Sequence, residues 1–271
     1  MNVDNKLPIG VFDSGVGGLT VVKELRKLLP KENVVYLGDT ARVPYGTKSA
    51  ETVTKYALSC SDFLVKKGIK MLVVACNTAS SFALGTLEKK LSIPFTGVIQ
   101  PGARSAKGIS KSRHIGVIGT RGTIGSGSYE RAIKFLDGGV TITGYACPLF
   151  VPIVEEGWES TKVAEEIAET YINELSKIDP EIDVLILGCT HYPLLRPIIE
   201  RIVKKTFKNE VQIIDSAVSV ATEVREMINK LGIDNPEGEG KFFCYVTDDS
   251  RIQELAQRFL GEKISCERVD L

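Results

Sequence analysis

Short uncharged runs rich in Val, Ile and Leu punctuate the chain, each closing in a polar or glycine-bearing turn. They fall at residues 9–12, 34–37, 71–75, 93–99, 114–119, 140–145, 184–188, 211–214 and 242–246. Most lack the strict alternation of a half-solvated strand, so they read as strands of a buried parallel sheet. Between them apolar residues recur at helical spacing. Val21, Val22, Leu25, Leu28 and Leu29 mark one helix, stopped by Pro30; Val53, Tyr56, Ala57, Cys60 and Phe63 mark another, ended at Gly68. Further helices are expected up to about residue 91, over 128–136 and 160–177, from the Cys189 turn to 205, up to 231 and over 250–260. Strand–helix alternation of this kind predicts parallel sheets flanked by helices.

The pattern occurs twice. The segment IGVFDSG at residues 9–15 is echoed by IGVIGTR at 115–121. Each is followed later by an apolar run that stops at a cysteine, Cys76 in the first half and Cys189 in the second. The expected fold is therefore α/β, with two pseudo-symmetric parallel-sheet lobes around a central cleft. Residues 100–102 (Gln-Pro-Gly) look like the crossover between lobes. The last sixty or so residues exceed what a second lobe the size of the first needs. They are expected to return to the first lobe, which would comprise residues 1–98 and 211–271, with 99–210 as the inserted second lobe.

Composition narrows the function. The chain has 271 residues and is 43% hydrophobic, as expected of a soluble globular protein. Lys plus Arg equals Asp plus Glu at 34 each, so no basic field exists to hold nucleic acid. Residues 1–8 are polar and lack the apolar core of a signal peptide. The uncharged stretch 138–154, which no other exceeds in length, is too short and too rich in Gly, Thr and Pro for a membrane helix. A cytoplasmic protein is expected, with no nucleic-acid or membrane partner. Its six cysteines form no C-x-x-C pair and are expected to be free thiols.

Cys76 and Cys189 stand out because each sits where a strand turns toward a helix. A cysteine is more often a small buried hydrophobe, and that reading suits Cys60, Cys147, Cys244 and Cys266. At a strand end, backbone N–H groups and the helix dipole are expected to lower the thiol pKa from about 8.5. Asp13 follows the first strand as a helix cap or as a carboxylate near Cys76. His191 lies two residues beyond Cys189, as a turn residue or as its proton partner. His114, ahead of a strand, reads as structural, and Asp215 as a cap. Ser14, Thr78, Thr120, Thr123 and Thr190 crowd the same strand ends. With helix N-terminal N–H groups they suit a carboxylate ligand. The glycines at 15, 17 and 18 do not make a dinucleotide fingerprint, since position 20 is Thr, and no phosphate-binding P-loop is present. A zinc hydrolase built on the cysteines, Asp13 and His191 is one alternative; a non-catalytic amino-acid-binding module is another.

The segments DSGVGG (13–18), VPYG (43–46), ACNTA (75–79) and LGCTHYP (187–193) together resemble the glutamate racemases of the cofactor-independent aspartate/glutamate racemase family. The resemblance runs from Ile9 to about Ser216. It implies two α/β lobes around a cleft and interconversion of L- and D-glutamate by two cysteine acid/bases, with D-glutamate going to peptidoglycan. It implies Cys76, Cys189, Asp13 and His191 as catalytic groups. Substrate contacts would be Asp13, Ser14, Tyr45, Gly46, Asn77, Thr78, Thr190 and His191, with Thr120 and Thr123. Aspartate racemases tend to carry Glu after the second Cys-Thr, so His191 points to glutamate. No cofactor and no metal are expected. The amino-terminal extension of precursor-activated members is expected to be missing. A homodimer stays open, since the sequence defines no dimer face.

Overall fold

The computed structural model describes residues 4–271; residues 1–3, part of the polar stretch 1–8, lie outside them. The first lobe opens with β1 (Ile9–Asp13), α1 (Leu19–Leu28), β2 (Val34–Gly38), α2 (Ala50–Lys66), β3 (Met71–Val74), α3 (Asn77–Lys90) and β4 (Phe95–Gly97); α4 (Ile99–Ile109) then crosses over, and Ile99, Ala103 and Ala106 join the core of the second lobe. The second holds β5 (His114–Gly119), α5 (Arg121–Gly125), α6 (Ser128–Leu136), β6 (Thr141–Ala146), α7 (Phe150–Glu155), α8 (Lys162–Ile178), β7 (Val184–Gly188), α9 (Arg196–Thr206) and β8 (Gln212–Asp215). The chain ends with α10 (Ser216–Leu231), β9 (Phe242–Val246), α11 (Ile252–Phe259) and β10 (Cys266–Arg268).

Two sheets form, in the orders β10-β9-β2-β1-β3-β4 and β6-β5-β7-β8, with parallel pairing throughout. The run β2-β1-β3-β4 matches β6-β5-β7-β8 strand for strand, which is the internal echo seen as topology. β1, β2, β3 and β7 are buried along their whole length, as unalternating apolar runs require. One apolar core joins the lobes, running from Val21, Val22 and Leu25 of α1 through Val220 and Val224 of α10 to Ile199 of α9.

Two expectations need correction, and a third gains detail. The strand near residue 211 was assigned to the first lobe, but β8 pairs with β7 in the second sheet, Val184 opposite Gln212. The return therefore begins at α10, and β9 and β10 extend the first sheet beyond β2. Residues 100–102 do lie where the chain passes from the first sheet to the second, and they do so within a helix, α4, where Pro101 falls in the first turn and needs no N–H partner. Finally, Cys244 and Cys266 are not free. They are register partners on adjacent strands and form a disulfide, Cα–Cα 4.5 Å. No sequence spacing announces that pair, because only the neighbouring of β9 and β10 brings it together. Cys60, Cys76, Cys147 and Cys189 are free and buried. Among the described residues, no helix is long and apolar enough to cross a membrane.

Candidate active site

In each sheet the strand order reverses direction of growth between the first and third strands, β1/β3 and β5/β7. Ligands of open α/β sheets bind at the carboxyl ends of the strands at such switch points. Asp13 ends β1 and Cys76 follows β3; Thr120 follows β5 and Cys189 follows β7. The two switch points face each other, and Cys76 and Cys189 line the same cleft. Ser14, Tyr45, Gly46, Asn77 and Thr78 complete the first-lobe wall; Thr120, Val151, Glu155, Thr190 and His191 complete the other. The cavity is small, about 40 Å³. Wider grooves of about 460 Å³ along α4 and α10 and about 660 Å³ beside α9 and β8 hold no cysteine or histidine. Chemistry rather than size therefore picks out the inter-lobe cleft.

On the first wall, Cys76 is the N-cap of α3. Its sulfur accepts from Ala79 N–H at 3.4 Å and its thiol donates to Ser14 Oγ at 3.5 Å. The helix terminus favours negative charge there, yet burial and the neighbouring Asp13 carboxylate win, pushing the thiol up to about 12. The lowered pKa expected from the strand-end position is thus reversed by desolvation. Asp13 is fully buried, and Oδ2 accepts from Gly15 N–H at 3.0 Å. Burial raises its pKa, opposed by His191 and by nearby backbone N–H groups. Asp13 Oδ1 and Asn77 Nδ2 are buried without a hydrogen-bond partner among the described residues. Asn77 lines the cleft, whereas Asp13 is not among its lining residues and lies buried beside Cys76; a free donor suits a carboxylate and a free acceptor an ammonium.

On the second wall, His191 Nδ1 lies 3.9 Å from Cys189 Sγ and 3.4 Å from Thr190 Oγ1. His191 Nε2 pairs with Glu155 Oε1 at 2.9 Å. Burial lowers the imidazole's pKa, but its hydrogen bonds to Cys189 and Glu155 prevail and lift it to about 10. Cys189, His191 and Glu155 thus form a thiol–imidazole–carboxylate row. Glu155 escaped the sequence reading. Its signal was present, since it is the first charge after the uncharged stretch 138–154.

The lobes meet through hydroxyls. Thr78 of α3 lies 3.0 Å from Thr120 and 3.3 Å from Thr123, which are 3.1 Å from each other. Thr120 also caps α5, accepting from Thr123 N–H. Tyr129 of α6 donates to Asn77 Oδ1 at 2.8 Å. Tyr45 lines the cleft, but its hydroxyl turns into the first-lobe core, bonding Asp39 Oδ2 and lying 3.9 Å from Cys60 Sγ. Among the described residues no three His, Cys, Asp or Glu side chains group as metal ligands, so the zinc-hydrolase alternative gains no ligand set. His114 pairs with Asp179 at 2.9 Å, away from the cleft, and Asp215 caps α10 through Ala217 N–H.

Opposed polar walls of this kind define a small-molecule enzyme of the two-lobed α/β class, and the sequence match is to such enzymes. The profile of the Asp/Glu/Hydantoin racemase family matches residues 9–224. The chain belongs to that family and is an amino-acid racemase, an isomerase. A glutamate racemase of Geobacter metallireducens is 50% identical over 258 residues, covering 94% of this chain and 93% of that protein. The crystal structure of a glutamate racemase isoform from Bacillus anthracis superposes with a TM-score of 0.93 at 42% identity, covering 98% of each chain. That of a glutamate racemase from Francisella tularensis, in complex with D-glutamate, gives 0.90 at 34% identity over 98% of each chain.

Proposed function

We propose that the chain interconverts L-glutamate and D-glutamate by proton transfer between Cys76 and Cys189, without cofactor or metal. D-Glutamate then serves peptidoglycan synthesis in the cytoplasm. The observation that carries the reading is the placement of two buried cysteines at equivalent strand ends of two lobes, lining one cleft. Racemisation needs a base on one face of Cα and an acid on the other, and opposed thiols meet that need.

In the L-to-D direction, the Cys189 thiolate takes the Cα proton. The electron pair spreads into the α-carboxylate. The Cys76 thiol then delivers its proton to the opposite face, leaving Cys76 as thiolate and Cys189 as thiol. The D-to-L direction reverses these roles. A His191 imidazolium beside Cys189 supplies positive charge as that sulfur becomes anionic. On the other wall, the substrate ammonium beside Asp13 does the same for Cys76, whose thiol is otherwise held protonated by burial. Asn77 Nδ2 and the threonine hydroxyls are placed to bind carboxylate, where fixed donors stabilise the developing charge. Proton transfer from a positioned group contributes about 10²–10⁴-fold.

The test is incubation with L-glutamate in D₂O without added cofactor. Loss of optical rotation and deuterium at Cα of D-glutamate are expected. Both should be abolished in Cys76→Ala and in Cys189→Ala, since each turnover uses both thiols. Racemisation surviving in either variant, or dependent on added pyridoxal phosphate or metal, would overturn the reading.

A further inference from the structure

The row that serves Cys189 does not end at Glu155. α7 terminates there, and its last carbonyls have no partner within the helix. Two arginines of the carboxyl-terminal return to the first lobe, Arg251 at the N-cap of α11 and Arg258 in its last turn, reach the final two; Val154 O also accepts from Gly157 N–H at 3.1 Å, so Glu155 O is the one that depends on the arginines among the described residues. Arg258 donates to Val154 O and, at 3.3 Å, to Glu155 O; Arg251 donates to Glu155 O at 2.9 Å. Each also pairs with a nearby carboxylate, Arg258 with Glu159 at 2.6 Å and Arg251 with Glu156 at 2.7 Å. Glu155 is therefore gripped at its backbone by two guanidinium groups while its side chain bonds to His191. Phe259, the last residue of α11, sets its ring edge-on to the His191 imidazole, centroids 5.1 Å apart. Among the described residues the hydrogen-bond partners of Cys76 are Ser14 and Ala79, neither of them in α11.

We propose that Arg251 and Arg258 are positioning residues for the Cys189 half of the site: they fix the end of α7 so that the Glu155 carboxylate stays against His191. The proposal rests on the racemase reading and adds a direction to it. Loosening α11 should weaken abstraction from the L-enantiomer and spare abstraction from the D-enantiomer. Racemisation rates cannot reveal this. The two enantiomers are equal in free energy, so kcat/KM must fall equally in both directions. A partial reaction can, namely elimination from glutamate analogues carrying a leaving group on Cβ, because it needs only the first proton abstraction.

Arg258→Gln and Arg251→Gln, each checked for folding, should lower elimination from the L-analogue about tenfold, since misplacement of this order is costly at a reacting centre. Elimination from the D-analogue should change less than twofold. The His191 ring, followed by NMR in a chain with only two histidines, provides a readout independent of activity. The titratable groups facing it are Cys189, Glu155 and Asp13. Its titration midpoint should fall in both variants as Glu155 drifts away, whereas loss of a nearby cation alone would raise it. Equal losses with both analogues, an unchanged L-reaction, or an unmoved or raised His191 midpoint would overturn the proposal. A wild-type protein inert toward both glutamate enantiomers would instead sink the racemase reading, while the His191 titration would still judge the arginines.

Discussion

At the scale of the residue, the two thiols sit in unlike surroundings although their strand ends are equivalent. Cys76 has a hydroxyl, a backbone N–H and a buried carboxylate around it. Cys189 has an imidazole backed by Glu155. The residue types were legible in the sequence: Cys76, Cys189 and His191 line one cleft, with Asp13 buried beside Cys76. Their ionisation was not, because desolvation depends on how tightly the lobes close, and no local pattern encodes that. His191 offers a direct check. Its pKa is raised in the folded state, to about 10 from an ordinary value near 6.5. The contribution to stability is therefore complete below about pH 6.5 and lost as pH rises through about 10. Melting temperature measured from pH 6 to 10 should fall more steeply in the wild type than in His191→Asn. Parallel curves would show that the imidazole gains no proton affinity on folding.

Elements were legible in proportion to their length and periodicity. The long helices and the central strands follow directly from apolar spacing. The short pieces α5, α7 and β10 do not, since three to six residues carry too little pattern to tell a short element from a loop. α5 matters most among them, because its cap doubles as a lobe contact. Thr120 accepts from Thr123 N–H and lies 3.0 Å from the Thr78 hydroxyl across the cleft. Thr120→Ala should cost about 1 kcal/mol of stability through the lost cap and also raise KM for glutamate. Urea titration and initial rates read the two effects separately. A stability loss with unchanged KM would confine Thr120 to capping.

For the whole molecule, the chain leaves the first lobe after β4, builds the second from α4 onward, and returns with α10 to add two strands to the first sheet. The return is secured at the end of the sheet opposite the cleft by a buried ion pair, Lys70 with Glu32. Lys70 also donates to Ile233 O and Asn5 O, and Glu32 accepts from Asn235 N–H. This tether was invisible in the sequence because its members are distant and ordinary. At the cleft end the lobes touch through the threonine hydroxyls and, beside them, through missing side chains. A methyl group on Gly46 would stand 2.7 Å from Thr120 Cβ, and one on Gly17 would stand 2.2 Å from Thr190 Oγ1. These bare contacts act as a seal. Under the proposed two-thiol reaction, a proton lifted onto a thiol inside a sealed cleft would return to the carbon it left, or turnover would complete, before bulk water reached the sulfur. Gly46→Ala should wedge the seal ajar and let that proton leak. In D₂O, the recovered L-glutamate of the variant should then gain deuterium faster, relative to racemisation, than that of the wild type. An unchanged ratio would mean that the sulfur already exchanges with solvent while the lobes are shut.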